Sequence, residues 1–139
     1  MMPAELVDEG RIRNVLSKTK SIAVVGASAK PWRDSGRAVE FLAARGYEVF
    51  PVNPRYPEVN GRPCYPTIAA IGKPVDMVDV FRNPDELGPI VDECITLGIK
   101  LLWLQYGVIN EAEQVRAEAA GIDVVVDRCI MVDYRFLMS

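Results

Sequence analysis

The sequence predicts an α/β fold: a five-stranded, mainly parallel sheet with helices on both faces. Three observations carry this. Short apolar runs alternate with longer stretches whose apolar residues recur at helical spacing. Most of the short runs are continuously apolar rather than alternating, the pattern of strands covered on both sides. The chain has 139 residues, half of them hydrophobic and a quarter charged. That is enough for one domain spanning residues 1–139, burying roughly 68–70% of its extended-chain surface without disulfide or metal staples.

An added helix near the N-terminus is predicted from Leu6, Ile12, Val15 and Leu16. The first strand is Ser21-Ile22-Ala23-Val24-Val25-Gly26, entering a glycine turn. The next helix has Asp34 or Ser35 as N-cap, an apolar face of Ala38, Val39, Leu42 and Ala43, and Gly46 at its end. Tyr47–Val52 is the second strand. Its Pro51 has no N–H and is expected at the strand end or at a bulge. A Pro-rich loop over 53–66 and a short helix near Thr67–Ile71 lead to the third strand, Asp76–Phe81. Asn83-Pro84 is a helix start with Asn as N-cap and Pro at the first position, and Gly98 closes that helix. Lys100–Gln105 is the fourth strand. Asn110 caps the following helix, with Glu113 three residues on, and Gly121 ends it. Ile122–Val126 is the fifth strand, and the tail with Ile130, Met131, Phe136 and Leu137 packs back on the sheet.

Right-handed crossovers between these strands favour a three-layer, Rossmann-like arrangement in the order 3-2-1-4-5. The other order considered is 2-1-3-4-5, the flavodoxin-like one. In both, ligands bind at the carboxyl ends of the strands, near the point where the order reverses.

Composition excludes several functions. The chain has no histidine, which removes Ser-His-Asp and Cys-His catalysis, histidine general bases and His-containing metal sites. A net charge of −3 argues against a whole-surface nucleic-acid binder or a polybasic membrane binder, though not against a local anion pocket. Cys64, Cys94 and Cys129 are odd in number, far apart and never in a CxxC pair, so neither zinc clusters nor a disulfide framework is expected. Met1–Leu6 lacks the pattern of a secretory signal, and no apolar run approaches the ~18 residues of a membrane span. A cytoplasmic protein with reduced thiols is expected.

The loop Gly26-Ala27-Ser28-Ala29-Lys30-Pro31-Trp32-Arg33-Asp34-Ser35 joins a strand to a helix. Such a turn directs backbone N–H groups and a helix dipole at an anion, most often phosphate. Gly26 permits the turn, Ser28 and Ser35 offer hydroxyls, and Lys30, Arg33 and Arg37 add charge. Neither GxGxxG nor GxxxxGK[ST] is present, since Ser28 stands where the second glycine would be. After the second strand, Val52-Asn53-Pro54-Arg55 lacks the acid that holds the ribose of NAD. That suits a nucleotide with an extra ribose phosphate, NADP or coenzyme A, with Arg55 as its bidentate partner; the plain alternative is a turn with a solvated arginine. After the third strand, Phe81 either walls a base or belongs to the core, and Arg82 faces phosphate. Asp79, inside a buried strand, reads as a satisfied structural carboxylate, for instance one bonding backbone N–H groups, in preference to a catalytic one. After the fourth strand, Gln105 offers donor and acceptor, and Gly107 permits close backbone approach, while Trp103 reads as core.

Taken together these strand ends resemble the small stand-alone CoA-binding proteins, relatives of the CoA-binding domain of the succinyl-CoA synthetase alpha subunit. The matching stretches are Ile22–Ser28 with Lys30-Pro31 and Arg33, Val52-Asn53-Pro54, Val75–Arg82, Leu102–Gln105 with Gly107-Val108, and Asp127–Val132. They span Ser17 to Arg135. The resemblance implies a Rossmann-like fold and CoA as ligand. It places the diphosphate on Gly26, Ser28 and Lys30, the adenosine side on Val52, Asn53 and Phe81, and Arg82 and Gly107 along the pantetheine or the phosphates. Many relatives follow the cysteine segment with Glu-His, where this chain has Asp133-Tyr134. The synthetase's phosphorylated histidine belongs to another domain, so ligase activity is not implied.

The candidate binding residues are thus Gly26, Ala27, Ser28, Lys30, Arg33 and Ser35 on the first loop, and Val52, Asn53, Pro54 and Arg55 after the second strand. Phe81 and Arg82, Gln105 and Gly107, and Cys129 follow on the remaining strands. Cys129 sits where a CoA thiol could exchange with it, with Arg128 favouring a thiolate; an inert buried cysteine is the other reading. The expected function is non-catalytic binding of CoA or an acyl-CoA, with no nucleic acid or membrane involved and a protein partner or homodimer compatible with it. The alternative is an NADP-dependent oxidoreductase, for which no substrate acid or base is evident.

Overall fold

The computed structural model describes residues 8–138, so Leu6 lies outside the described residues. In chain order the elements are α1 (Glu9–Lys18), β1 (Ser21–Val25), α2 (Asp34–Ala44), β2 (Glu48–Val52), a small hairpin of β3 (Glu58–Val59) and β4 (Arg62–Pro63), and β5 (Met77–Val80). Then come α3 (Leu87–Leu97), β6 (Leu101–Leu104), α4 (Glu111–Ala119), β7 (Asp123–Val126) and α5 (Ile130–Leu137). The short helix expected near Thr67–Ile71 is a 3-10 turn over Ala69–Ile71, and a second such turn, Pro84–Glu86, runs directly into α3. There the Asn83 N–H donates to Glu86 Oε1 at 3.2 Å. At α4, Asn110 Oδ1 accepts from the Glu113 N–H at 3.2 Å, as the sequence predicts.

The main sheet is parallel throughout and runs β2-β1-β5-β6-β7. Counting only its five strands along the chain, this is 2-1-3-4-5, which corrects the expected 3-2-1-4-5. The reason lies in β2. The 3-2-1 order would put β2 inside the sheet, paired on both sides. Pro51 pairs across from Val24 of β1, and its carbonyl faces the other way, accepting from the Tyr65 N–H at 2.9 Å. The missing proline N–H is on that same outer side, where an additional strand would require a donor. A segment at Tyr65 covers the edge instead, through a single parallel bridge to Val52. The N-cap of α2 is also corrected: Arg33 holds that position, and no side chain caps the helix.

Both faces of the sheet are covered. Val78, Val80, Leu102, Leu104 and Val124 pack with Leu87, Val91 and Cys94 of α3 and Ala117 of α4. On the opposite face Ile22, Val24, Met77 and Trp103 pack with Ile12 and Leu16 of α1, Ala38 and Leu42 of α2, and Ile130 of α5. Burial pushes the Cys94 thiol up to about 12, an inert core cysteine. Trp103 is fully buried and donates Nε1–H to the Arg128 carbonyl at 2.8 Å. Its indole therefore fixes the segment leading into α5. Among the described residues no helix is long and apolar enough to cross a membrane.

Candidate functional site

The sheet order places the switch between β1 and β5, whose chain continuations leave in opposite directions. Parallel strands end there with their carboxyl termini together, and a crevice is expected above them. A cleft of about 470 Å³ lies there, lined by residues following β1, β2, β5 and β6.

Gly26 makes the switch point possible. Its φ is +87°, and a Cβ built on it would stand 2.2 Å from the Phe81 carbonyl oxygen. The ends of β1 and β5 therefore approach as only glycine allows. Gly36 serves the adjoining turn, since a Cβ there would lie 2.7 Å from the Lys30 carbonyl oxygen and 2.9 Å from that of Ser28. The loop thus folds down onto the first turn of α2. Gly26→Ala is expected to lose about 1–3 kcal/mol of stability from backbone strain, with a further loss from the contact. Urea unfolding measures it, and unchanged stability would mean that the strand ends separate freely.

The N-terminus of α2 points into this cleft without a side-chain cap, and Ser35 in its first turn is buried and lines the cleft. Lys30, Arg33, Arg55 and Arg82 stand around it. Among the described residues Lys30, Arg33 and Arg55 make no ion pair, and Arg82 reaches Glu86 only at 3.9 Å. The anions on the walls are Asp34, which pairs with Arg37, and Glu86. The outcome is an excess of uncompensated cations beside open helix amides, in a protein whose net charge is −3. That combination attracts a polyanion.

Gln105 lines the cleft, and Asp79 lies buried behind it. Gln105 Nε2–H donates to Asp79 Oδ1 at 2.5 Å. Asp79 is fully buried, and its other oxygen has no hydrogen-bond partner. Burial raises its pKa from 3.8 to about 7, the hydrogen bond from Gln105 opposing the rise. This corrects the expectation of a satisfied carboxylate.

Of the predicted residues, Gly26, Ser28, Lys30, Arg33 and Ser35, then Asn53, Arg55, Phe81, Arg82 and Gln105, all meet in the cleft. Asn53 enters with its polar atoms engaged: Nδ2–H donates to the Ala27 carbonyl at 2.9 Å, and Oδ1 accepts from the Arg55 N–H at 2.9 Å. It clamps the first loop to the second and so positions Arg55. Ala27 is fully buried beneath that clamp. Val52 and Pro54 line an adjoining depression that shares Arg82 and Glu86 with the cleft. Gly107 does not line the cleft. Its N–H donates to Asp127 Oδ1 at 2.9 Å, and a Cβ would meet nothing within 4 Å, so the glycine serves its φ of +77° rather than a close approach. Cys129 lies in a neighbouring cavity of about 600 Å³ between α2 and α5. Arg128 is held by Asp133 through hydrogen bonds of 2.7 and 3.0 Å, so the expected electrostatic support for a Cys129 thiolate is committed elsewhere.

Comparison with known proteins settles the family. The sequence profile described as the CoA binding domain matches residues 20–135. The chain belongs to the CoA-binding domain family. It is 33% identical to the uncharacterized protein YneT of Bacillus subtilis, over 89% of this chain and 92% of that one. A hypothetical protein from Pyrococcus horikoshii OT3 superposes with a TM-score of 0.94 at 37% identity, covering 100% of this chain and 98% of that one. ADP-forming acetate–CoA ligase I of Archaeoglobus fulgidus is 32% identical over 80% of this chain, which matches only 18% of the ligase. The shared unit thus makes up nearly all of one relative and a small part of another.

Within this CoA-binding domain, sequence reasoning misses several lining residues: Tyr56, Asn83, Glu86, Tyr106 and Val108. Tyr56 lies in the Pro-rich loop, where no periodicity marks orientation. Asn83 and Glu86 are visible as a helix-start pair, but their side of the turn is set by tertiary packing. Tyr106 is 64% exposed and borders the cleft and both cavities on the α5 side. A large aromatic directly after a buried strand is the available signal.

Proposed function

We propose that this CoA-binding domain protein holds CoA or an acyl-CoA in the cleft without transforming it. The observation that carries the reading is the set of unpaired cations, Lys30, Arg33 and Arg55, around the uncapped start of α2. Main-chain amides and the Ser28 and Ser35 hydroxyls take the diphosphate, and Lys30 and Arg33 supply charge. Arg55, clamped by Asn53, takes the ribose phosphate, and Phe81 with the Val52–Pro54 depression accommodates the adenine. Arg82 and Gln105 lie along the rest of the ligand's course, and Cys129 borders the cavity toward its thiol end. With no histidine in the chain, group transfer of the ligase kind is not part of the reading. A reducing cytoplasm suits both the free thiols and a thiol ligand.

Isothermal titration with CoA, NADP and NAD tests this. Saturable CoA binding with weaker or absent binding of the nicotinamide nucleotides is expected; NADP binding without CoA binding would reverse the assignment. Arg55→Ala is expected to weaken CoA by about ten- to a hundredfold, the worth of a charge-assisted hydrogen bond. It should leave 3′-dephospho-CoA nearly unchanged. Equal losses for both ligands would move the ribose phosphate away from Arg55.

A further inference from the structure

Behind Gln105, one side chain removed from the cleft, lies a carboxylate that phosphate capture does not use. Asp79 lies on the central strand of the sheet with a neutral neighbour on each side, Val24 and Trp103. One oxygen accepts from Gln105, and the other is fully buried without a partner. Gln105 is 4% exposed and lines the cleft. One side chain therefore touches both the buried carboxyl and the ligand space.

A glutamine amide has a donor end and an acceptor end. Ionised Asp79 can only accept, so it draws the NH2 group and leaves the carbonyl for the cleft, where it would oppose a phosphate oxygen. Protonated Asp79 can donate its O–H to Gln105 Oε1, and a half-turn of the amide then presents NH2 to the cleft. A polyanion in the cleft favours this second state twice. Its charge disfavours the carboxylate, and its oxygens accept from the released NH2.

From this geometry we propose that polyanion binding in the cleft is coupled to uptake of one proton by Asp79, with Gln105 turning its NH2 toward the ligand. The inference rests on the CoA reading of the cleft. The proton comes from solvent: the carboxylate gains one O–H bond, and no other covalent bond changes.

Other ionisable groups surround the site. Lys30, Arg33 and Asp34 stand on the first loop and the start of α2, Arg55 and Tyr56 follow β2, and Arg82 and Glu86 follow β5. Tyr106 follows β6, and Asp127, Arg128, Cys129 and Asp133 lie at the entry to α5. Only burial and the Gln105 hydrogen bond displace the Asp79 carboxyl, which titrates at about 7.

The test is calorimetry with CoA and with 3′-dephospho-CoA at neutral pH, in buffers of different ionisation enthalpy. Dephospho-CoA lacks the phosphomonoester, whose own second pKa is about 6. Net proton uptake is expected for wild type with both ligands, with affinity falling by up to roughly tenfold per pH unit on the alkaline side. Asp79→Asn should abolish the uptake and flatten the profile for dephospho-CoA. Ligand binding without uptake, or uptake unchanged in Asp79→Asn, overturns the inference and leaves CoA binding intact. Failure of both ligands to bind overturns the CoA reading itself. A wild-type measurement covers a variant that does not fold: the side-chain carboxyl 13C resonance of Asp79 must titrate, and at higher pH with ligand than without. An unmoved titration overturns the coupling.

Discussion

Ser28→Glu is expected to abolish CoA binding, with a loss of roughly a hundredfold or more and thermal stability nearly unchanged. Ser28 lies between Gly26 and the uncapped start of α2, on the wall of the cleft. A carboxylate there meets the ligand's phosphates in a region that excludes part of the solvent. Like charges so placed cost several kcal/mol, and each 1.4 kcal/mol is about tenfold in affinity. The folded protein loses little. Ser28 is half-buried, and its hydroxyl accepts one hydrogen bond, from the Lys30 N–H at 3.1 Å. The new carboxylate has Lys30 and Arg33 as neighbours and can extend toward solvent. Calorimetric titration paired with thermal unfolding checks both halves. Unchanged affinity would place the phosphates elsewhere, and a large fall in melting temperature would make Ser28 a structural residue.

Asp79→Asn is expected to stabilise the protein above neutral pH by an amount on the order of 4 kcal/mol. The folded carboxyl titrates at about 7, well above its unperturbed 3.8, because burial penalises the charge. The folded state therefore binds the proton more tightly than the unfolded chain. The contribution of Asp79 to stability is greatest below about pH 4, falls as pH rises to about 7, and is level beyond. Asparagine keeps the shape and can bond Gln105 without a charge. The gain should be largest at pH 8.5 and clearly smaller at pH 5. Parallel pH profiles for wild type and variant, from urea unfolding, would show that Asp79 does not titrate in this range. Retention of so unfavourable a group is what a ligand-linked proton site entails: a residue serving function at the expense of stability.

Much of the fold is written in local patterns. The buried strands Ser21–Val25, Met77–Val80 and Leu101–Leu104 are continuously apolar apart from Ser21 and Asp79, and such runs mark strands covered on both faces. Glycines such as Gly98 end helices where a left-handed φ of +70° is required. Strand order is less legible, because it depends on which edge the chain chooses after β2. Pro51 contains the answer, since a residue without N–H cannot sit between two partners. Reading it only as a strand-end or bulge residue hides that consequence. The candidate site follows the same division. Residues soon after a strand, such as Ser28, Arg55 and Arg82, fall in the cleft because strand ends define it. Asn53 and Gly107 stand out along the chain, but their contacts are long-range: Asn53 reaches Ala27 and Gly107 reaches Asp127. Periodicity carries no information on such pairs. Gly36 is silent for a related reason, because a glycine inside a helix signals a close neighbour without naming it.

The seal at Tyr65 bears on how copies of this molecule can associate. With a proline facing outward and a bridging segment already docked beside Val52, that border of the sheet offers no continuous ladder to an incoming chain. Intermolecular strand addition, whether in a regulated assembly or in aggregation, is thereby directed to the opposite border at Asp123–Val126.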